Sequence, residues 1–299
     1  MGLYIGYDPI DLNISQNKLH FNYYIKPPMF AMNNTWYRGT TDISTIREIN
    51  IVDSHTPTGN ETETYNADVN NEGSIKCYVN DTVLTIAGNG SSKIMCNPES
   101  LDMFRNFTNL KSINGLQLLD TSNVTRMDAM FEFDSSLTTL DLSNFNTSKV
   151  TYMSNMFSDC SNLTTLDVSS FDTSKVCDME YMFNNCRSLT SLDLSSFDTS
   201  KVETMLQMFS RCGSLTSLDL SSFDTSKAYN MTAMFNLCSN LTTIYTSELW
   251  STDACTESTI MFNQCVNLVG DIAYNSNYKD KTYATTTGGY LTYKSAPTK

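Results

Sequence analysis

The fold class predicted is a capped solenoid of α/β coils, each a short parallel strand followed by a short helix. Three observations predict it. One phrase returns four times, beginning at Leu137, Leu163, Leu189 and Leu215, so the period is 26 residues in a chain of 299. Within each copy the apolar positions first alternate and then take helical spacing. The segments on either side lose the phrase, as the ends of a stacked array must.

The copy starting at Leu163 shows the reasoning for one coil. Leu163, Leu166, Val168 and Phe171 follow the spacing L-x-x-L-x-L-x-x-F, the arithmetic of a leucine-rich repeat. Residues 165–169 alternate, which predicts a strand with Leu166 and Val168 inward and Thr165, Asp167 and Ser169 outward. Asp172, Thr173 and Ser174 are helix N-cap residues, and Val176, Met179, Met182 and Phe183 then fall on one helical stripe. No such unit buries its apolar edge alone; a stack of them does. Phe145, Phe171, Phe197 and Phe223 recur at one position and predict an internal aromatic spine, with rungs about 4.8 Å apart.

Four segments follow from this. Residues 1–36 hold dense aromatics (Tyr4, Tyr23, Tyr24, Phe30, Trp36) and the breaker Pro27-Pro28, and read either as a strand packed on the next domain or as an attachment arm. Residues 37–109 read as a β-rich cap. Its strands are expected around Ile49 to Val52, Ile75 to Val79, Val83 to Ile86 and Ile94 to Cys96, with turns at Asn80-Asp81 and Gly88-Asn89-Gly90. Residues 110–265 carry the repeats, with weaker copies marked by Phe104, Phe131 and Phe262. Residues 266–299 replace the Met/Phe pattern by Tyr274, Tyr278, Tyr283, Tyr290 and Tyr293 and read as an irregular C-terminal cap.

The segment 189–212, LTSLDLSSFDTSKVETMLQMFSRC, resembles almost word for word the hallmark phrase of the BspA-like leucine-rich repeat family of bacterial surface proteins. The likeness runs from about Trp36 to the end, including the LVG phrase at 268–270, although GDIA replaces the family's usual glycine pair. The resemblance implies surface display and attachment. BspA-like repeats are also similar to parts of bacteriophage and prophage structural proteins.

Composition narrows the function classes. The net charge is −13, which argues against nucleic acid and against an anionic membrane surface. No 18-residue apolar run is present, so membrane insertion is not expected. The start has neither the basic residues nor the apolar core of a signal peptide, and carries Asp8 and Asp11. Nine Cys include a ladder of Cys160, Cys186, Cys212 and Cys238 continued by Cys265, favoured as reduced buried fillers over disulfides. There is no C-x-x-C pair and only two His, so neither a metal nor a cofactor is expected, and no residue is nominated as catalytic.

Two surfaces are candidates for binding. Asp141, Asp167, Asp193 and Asp219 form an outward column on the strand face, expected to be concave, which Tyr245 ends. Like charges about 5 Å apart need an offset from Ser or Thr, from Lys, from cations or from a ligand. The column therefore reads as a solvated acidic ladder or as a face for a cationic or repetitive target. The other surface is the helix start, where the copies differ; Tyr152, Tyr181, Glu203 and Tyr229 would lie on the convex side, by drift or for specificity. Lys149, Lys175, Lys201 and Lys227 are expected to pair with neighbouring Asp. The expected function is recognition without catalysis, led by a virion-displayed host-binding or decoration protein that docks on virion proteins through residues 1–36. A secreted or wall-associated adhesin for host proteins or cell-surface glycans is the alternative, and a cytosolic interaction scaffold is the third class. A homo-oligomer through the arm stays open.

Overall fold

The computed structural model describes residues 36–70 and 72–297, together with Met29 and a pairing of β1 (Asn13–Ser15) with β2 (Lys18–His20). The attachment arm expected at residues 1–36 otherwise lies outside the described residues.

The N-terminal strands at 48–52, 76–80, 83–87 and 94–95 fall where alternation places them, and those at 63–66, 112–114 and 119–120 lie outside the expected set. They are β3 (Glu48–Val52), β4 (Glu63–Asn66), β5 (Lys76–Asn80), β6 (Val83–Ala87), β7 (Ile94–Met95), β8 (Ser112–Asn114) and β9 (Leu119–Asp120). Five of them form a mixed sheet in the order β4-β5-β6-β3-β8, and β7 pairs with β9 in parallel. Ile49, Ile51, Cys77, Val79, Leu84 and Ile86 are buried in a core that is continuous with that of the repeats. Trp36 fastens this cap: its indole N–H donates to the Met103 carbonyl at 2.7 Å, and its ring stacks on Phe107 at 6.4 Å.

The expected α/β leucine-rich-repeat solenoid of strand–helix units is overturned. Among the described residues there is no α-helix; the helical pieces include short 3-10 turns at Ile43–Thr45, Leu116–Leu118 and Lys281–Tyr283. The stretches predicted as helices hold instead a single parallel bridge position, Asp178 in Val176 to Phe183, followed by tight turns. The molecule is mostly short strands and turns.

Spacing explains the change. Phe104, Phe131, Phe157, Phe183, Phe209, Phe235 and Phe262 stack face to face with ring centroids 5.5–6.0 Å apart. Packed helices need about 8–10 Å between axes, so helices cannot sit at this pitch. The N–H groups that a helix would use internally reach across to the next coil. Met153, Asn155, Phe157 and Asp159 donate to the carbonyls of Asp178, Glu180, Met182 and Asn184 at 3.1, 2.7, 3.0 and 2.8 Å, and the following coils repeat the pattern. Two residues per coil adopt left-handed backbone to permit this, at Asn155 and Asp159, Tyr181 and Asn185, Gln207 and Arg211, and Ala233 and Leu237. Each such non-glycine residue costs about 1–2 kcal/mol, which the cross-coil bonds must offset.

The apolar stripe read as one face of a helix is nonetheless buried: Val176, Met179, Met182 and Phe183 have no exposure. Both periodicities point the same side chains inward, so burial alone does not separate a helix from these turns. The Phe145, Phe171, Phe197 and Phe223 column is buried too, with Phe197 and Phe223 stacked at 6.4 Å.

Buried hydroxyls and thiols tie coil to coil. Thr147 donates to the Asp172 carbonyl at 3.0 Å and accepts the Asp172 N–H at 2.8 Å; Thr173 treats Asp198 in the same way at 3.0 and 2.8 Å. Thr121 and Thr225 extend this ladder at its two ends. All nine Cys are free. Cys160, Cys186, Cys212, Cys238 and Cys265 donate to the carbonyls of Phe131, Phe157, Phe183, Phe209 and Phe235 in the preceding coil at 2.9–3.2 Å. Burial pushes these thiols up, Cys238 to about 12, so they stay protonated and unreactive.

The C-terminal end closes with β10 (Ser217–Leu220), β11 (Thr243–Thr246) and β12 (Leu291–Tyr293), a parallel sheet in that order. Tyr290 ends the phenylalanine stack edge-on to Phe262 at 5.2 Å. Gly270 is required here, because a Cβ would stand 2.5 Å from the Tyr290 backbone.

Candidate functional site

The strand face differs from the turn side in how its coils are joined. Among the described residues, segments 139–142, 165–168 and 191–194 share no backbone hydrogen bonds, and regular pairing begins only at β10. Leu140, Leu166 and Leu192 therefore keep 9%, 8% and 8% exposure, against 1% for Leu218 under the paired sheet. For the same two coils the phenylalanine pair near this face is 6.4 Å apart and the pair on the turn side 6.0 Å. The expected concavity of the strand face presupposed helices on the far side and falls with them.

Thr139, Leu140, Thr165, Leu166, Ser191 and the Asp167 and Asp193 carboxylates line a shallow recess across three coils. Asp141, Asp167 and Asp193 are exposed, as expected. Each is held by a local turn in which one carboxylate oxygen accepts the N–H two residues on, from Ser143 at 3.1 Å, Ser169 at 2.9 Å and Ser195 at 2.9 Å. The hydroxyls and N–H groups of Ser143 and Ser169 hold Asp141 and Asp167 below the usual carboxylate range. The serines thus supply the offset that a column of like charges needs, and they leave one oxygen of each carboxylate open.

The lower end of the column is already occupied. Lys294, just after β12, places its ammonium on Asp219 and 5.8 Å from the centre of the Tyr245 ring. Burial would push Asp219 up, but the Lys294 and Ser221 hydrogen bonds outweigh it and the carboxyl stays low. Asp219 and Tyr245 are half-buried, so the open part of the column is Asp141, Asp167 and Asp193. Nothing in the repeat pattern points to Lys294; only the parallel pairing of β12 with β11 brings it there.

The variable positions lie on the turn side, separate from the column. Tyr152 and Tyr229 are 38% and 43% exposed, Glu203 is exposed and Tyr181 is half-buried in left-handed backbone. Tyr152 lies under the Arg126 guanidinium at 4.7 Å, and the Tyr181 hydroxyl accepts from Gln207 at 3.4 Å. They do not converge on a pocket. In the Lys column, Lys149 reaches Asn123 of the preceding coil at 2.8 Å, and Lys175 adds to the Ser174 hydrogen bonds that hold the Asp172 carboxyl low. Among the described residues no cluster of His, Cys, Asp or Glu could hold a metal ion, and no helix is long and apolar enough to cross a membrane.

A family model described as "Mycoplasma protein of unknown function, DUF285" matches residues 100–212 and again 188–287, together more than half of the 299 residues. The chain belongs to this family. The matched spans contain the whole acidic column and every variable turn position, so the candidate surfaces of this DUF285 chain are family-type repeat structure. No curated protein and no solved structure matches it.

Proposed function

We propose that this DUF285 chain is a non-catalytic recognition protein whose acidic strand face takes cationic side chains of a partner protein. The observation that carries the reading is Lys294 on Asp219: the column binds an ammonium in its own fold, while Asp141, Asp167 and Asp193 present the same carboxylate with one oxygen free. Such contacts steer association and weaken with salt. Replacing Asp141, Asp167 and Asp193 together by Asn keeps an acceptor for each turn and removes the charge. An oligolysine peptide should bind the parent with an affinity that falls steeply as salt rises. It should bind the triple variant about tenfold or more weakly, and the parent should release it as pH drops through the lowered range of the Asp141 and Asp167 carboxyls. Equal affinity for parent and variant would sink the reading.

The setting is surface display. The resemblance to BspA-like surface proteins, finer than the family membership, supports either a virion-displayed attachment protein or a cell-surface adhesin. Mass spectrometry of purified phage particles and of washed envelopes from the source culture separates the two. Stoichiometric recovery in particles is the outcome expected of the virion setting, and recovery only in envelopes or medium rejects it.

A further inference from the structure

The last coil departs from the repeat at two inward positions. Leu142, Val168, Leu194 and Leu220 occupy one interior column, and the register of β10 with β11 puts Thr246 next in it. Phe145, Phe171, Phe197 and Phe223 occupy another. Ser251 pairs with Thr225 as Asp198 pairs with Thr173, which puts Trp250 next in that column. Thr246 is fully buried and its hydroxyl has no hydrogen-bond partner. Trp250 is half-buried, and its indole N–H is committed to the Ala284 carbonyl at 3.2 Å.

Both residues border one pocket of about 290 Å³, together with Ser251, Thr252, Asp253 and the Thr285-Thr286 loop of the C-terminal cap. We infer that this pocket is a binding site for one neutral sugar ring. An aromatic wall takes the C–H face of a pyranose, and hydroxyls with a carboxylate take its O–H groups. The volume suits a single ring. An anion is disfavoured: the ammonium of Lys281, the cation beside the pocket, is spent on the carbonyls of Thr252 and Cys255, and Asp253 would repel negative charge. An unpartnered buried hydroxyl costs stability where the other coils carry an aliphatic residue. A ligand O–H reaching Thr246 would offset that cost. The inference is independent of the acidic column, whose open members, Asp141, Asp167 and Asp193, lie outside this pocket.

The chain has two Trp, so ¹⁵N labelling gives one indole signal for Trp250 and one for the buried Trp36. The full chain is titrated with glucose, galactose, mannose, fucose, N-acetylglucosamine and N-acetylgalactosamine into the millimolar range expected of weak single-ring binding. At least one should shift the Trp250 signal saturably and leave Trp36 unmoved. Thr246→Val and Asp253→Asn should each weaken that sugar about tenfold, roughly one hydrogen bond's worth. Thr246→Val should also raise Tm, so lost affinity cannot be lost folding. The assignment is overturned if no sugar gives a saturable shift, if both variants bind as the parent does, or if inorganic phosphate moves the same signal at equal concentration.

Discussion

Thr147→Val is expected to destabilise the chain by about 2–3 kcal/mol, although the side chain keeps its shape. Thr147 is 1% exposed and its hydroxyl both donates to and accepts from the backbone of Asp172 in the next coil. Valine removes both bonds and leaves a main-chain N–H and C=O without their partner. Thr164 is the control: it too donates to the preceding coil, to the Thr138 carbonyl at 3.2 Å, but at an exposed position where water replaces the bond. Thermal unfolding of the two variants decides the matter. The Thr147 variant should lose about 2–4 °C per kcal/mol, and the Thr164 variant should stay within about 0.5 kcal/mol of the parent. Equal shifts would show that the buried ladder contributes no more than a surface contact.

Asp134→Asn is expected to act in the opposite direction, and in a pH-dependent way. Asp134 occupies the ladder position that Cys160 and its successors hold in later coils, and it is fully buried. One oxygen accepts the Phe107 N–H at 2.9 Å, and the other has no partner. Burial pushes this carboxyl well above its ordinary range against the Phe107 hydrogen bond. Asp159 and Glu132, both close enough to raise the neighbouring Cys160 thiol, add no cation; Arg105 is bound to Glu132 at 2.7 Å. The folded chain therefore holds a proton that the unfolded chain releases near pH 4. Its contribution is fully present below that pH and is lost as pH rises toward the raised folded value. Asn keeps the acceptor for Phe107 and cannot ionise. Chemical denaturation across pH 4 to 7 should find parent and variant alike at the acid end. The variant's advantage should grow by up to about 1.4 kcal/mol per pH unit above it. A gap that stays constant across that range would mean that Asp134 does not titrate with folding.

What could be read beforehand was the content of the interior, more than its backbone. The recurring Leu, Val, Met, Phe and Cys positions are buried as the spacing predicts, because side-chain direction follows period and period is visible in a sequence. Helix against consecutive turns was not visible. Met179, Met182 and Phe183 face inward either way, and the left-handed residues that break a helix include Tyr181, Gln207, Arg211 and Leu237, which carry no turn signature. Asn155, Asp159 and Asn185 do favour that conformation, and their recurrence was the available clue. The acidic column was legible from Asp141, Asp167 and Asp193, but its counter-ion Lys294 was not, since 75 residues separate it from Asp219. Thr246 and Trp250 stand out only after the register shows which columns they interrupt.

The uniformity of the interior bears on how such a chain changes length. Phe157 meets Phe183 much as Phe183 meets Phe209, at 5.8 and 5.7 Å, and the threonine and cysteine ladders repeat the same handshakes. In these interior ladders no coil between the caps is addressed to one particular neighbour. Deleting or duplicating one 26-residue unit of the gene would therefore preserve these interior junctions and move the far cap by a single step. The array can serve as an adjustable ruler, with reach set by copy number and chemistry confined to its ends and its acidic edge.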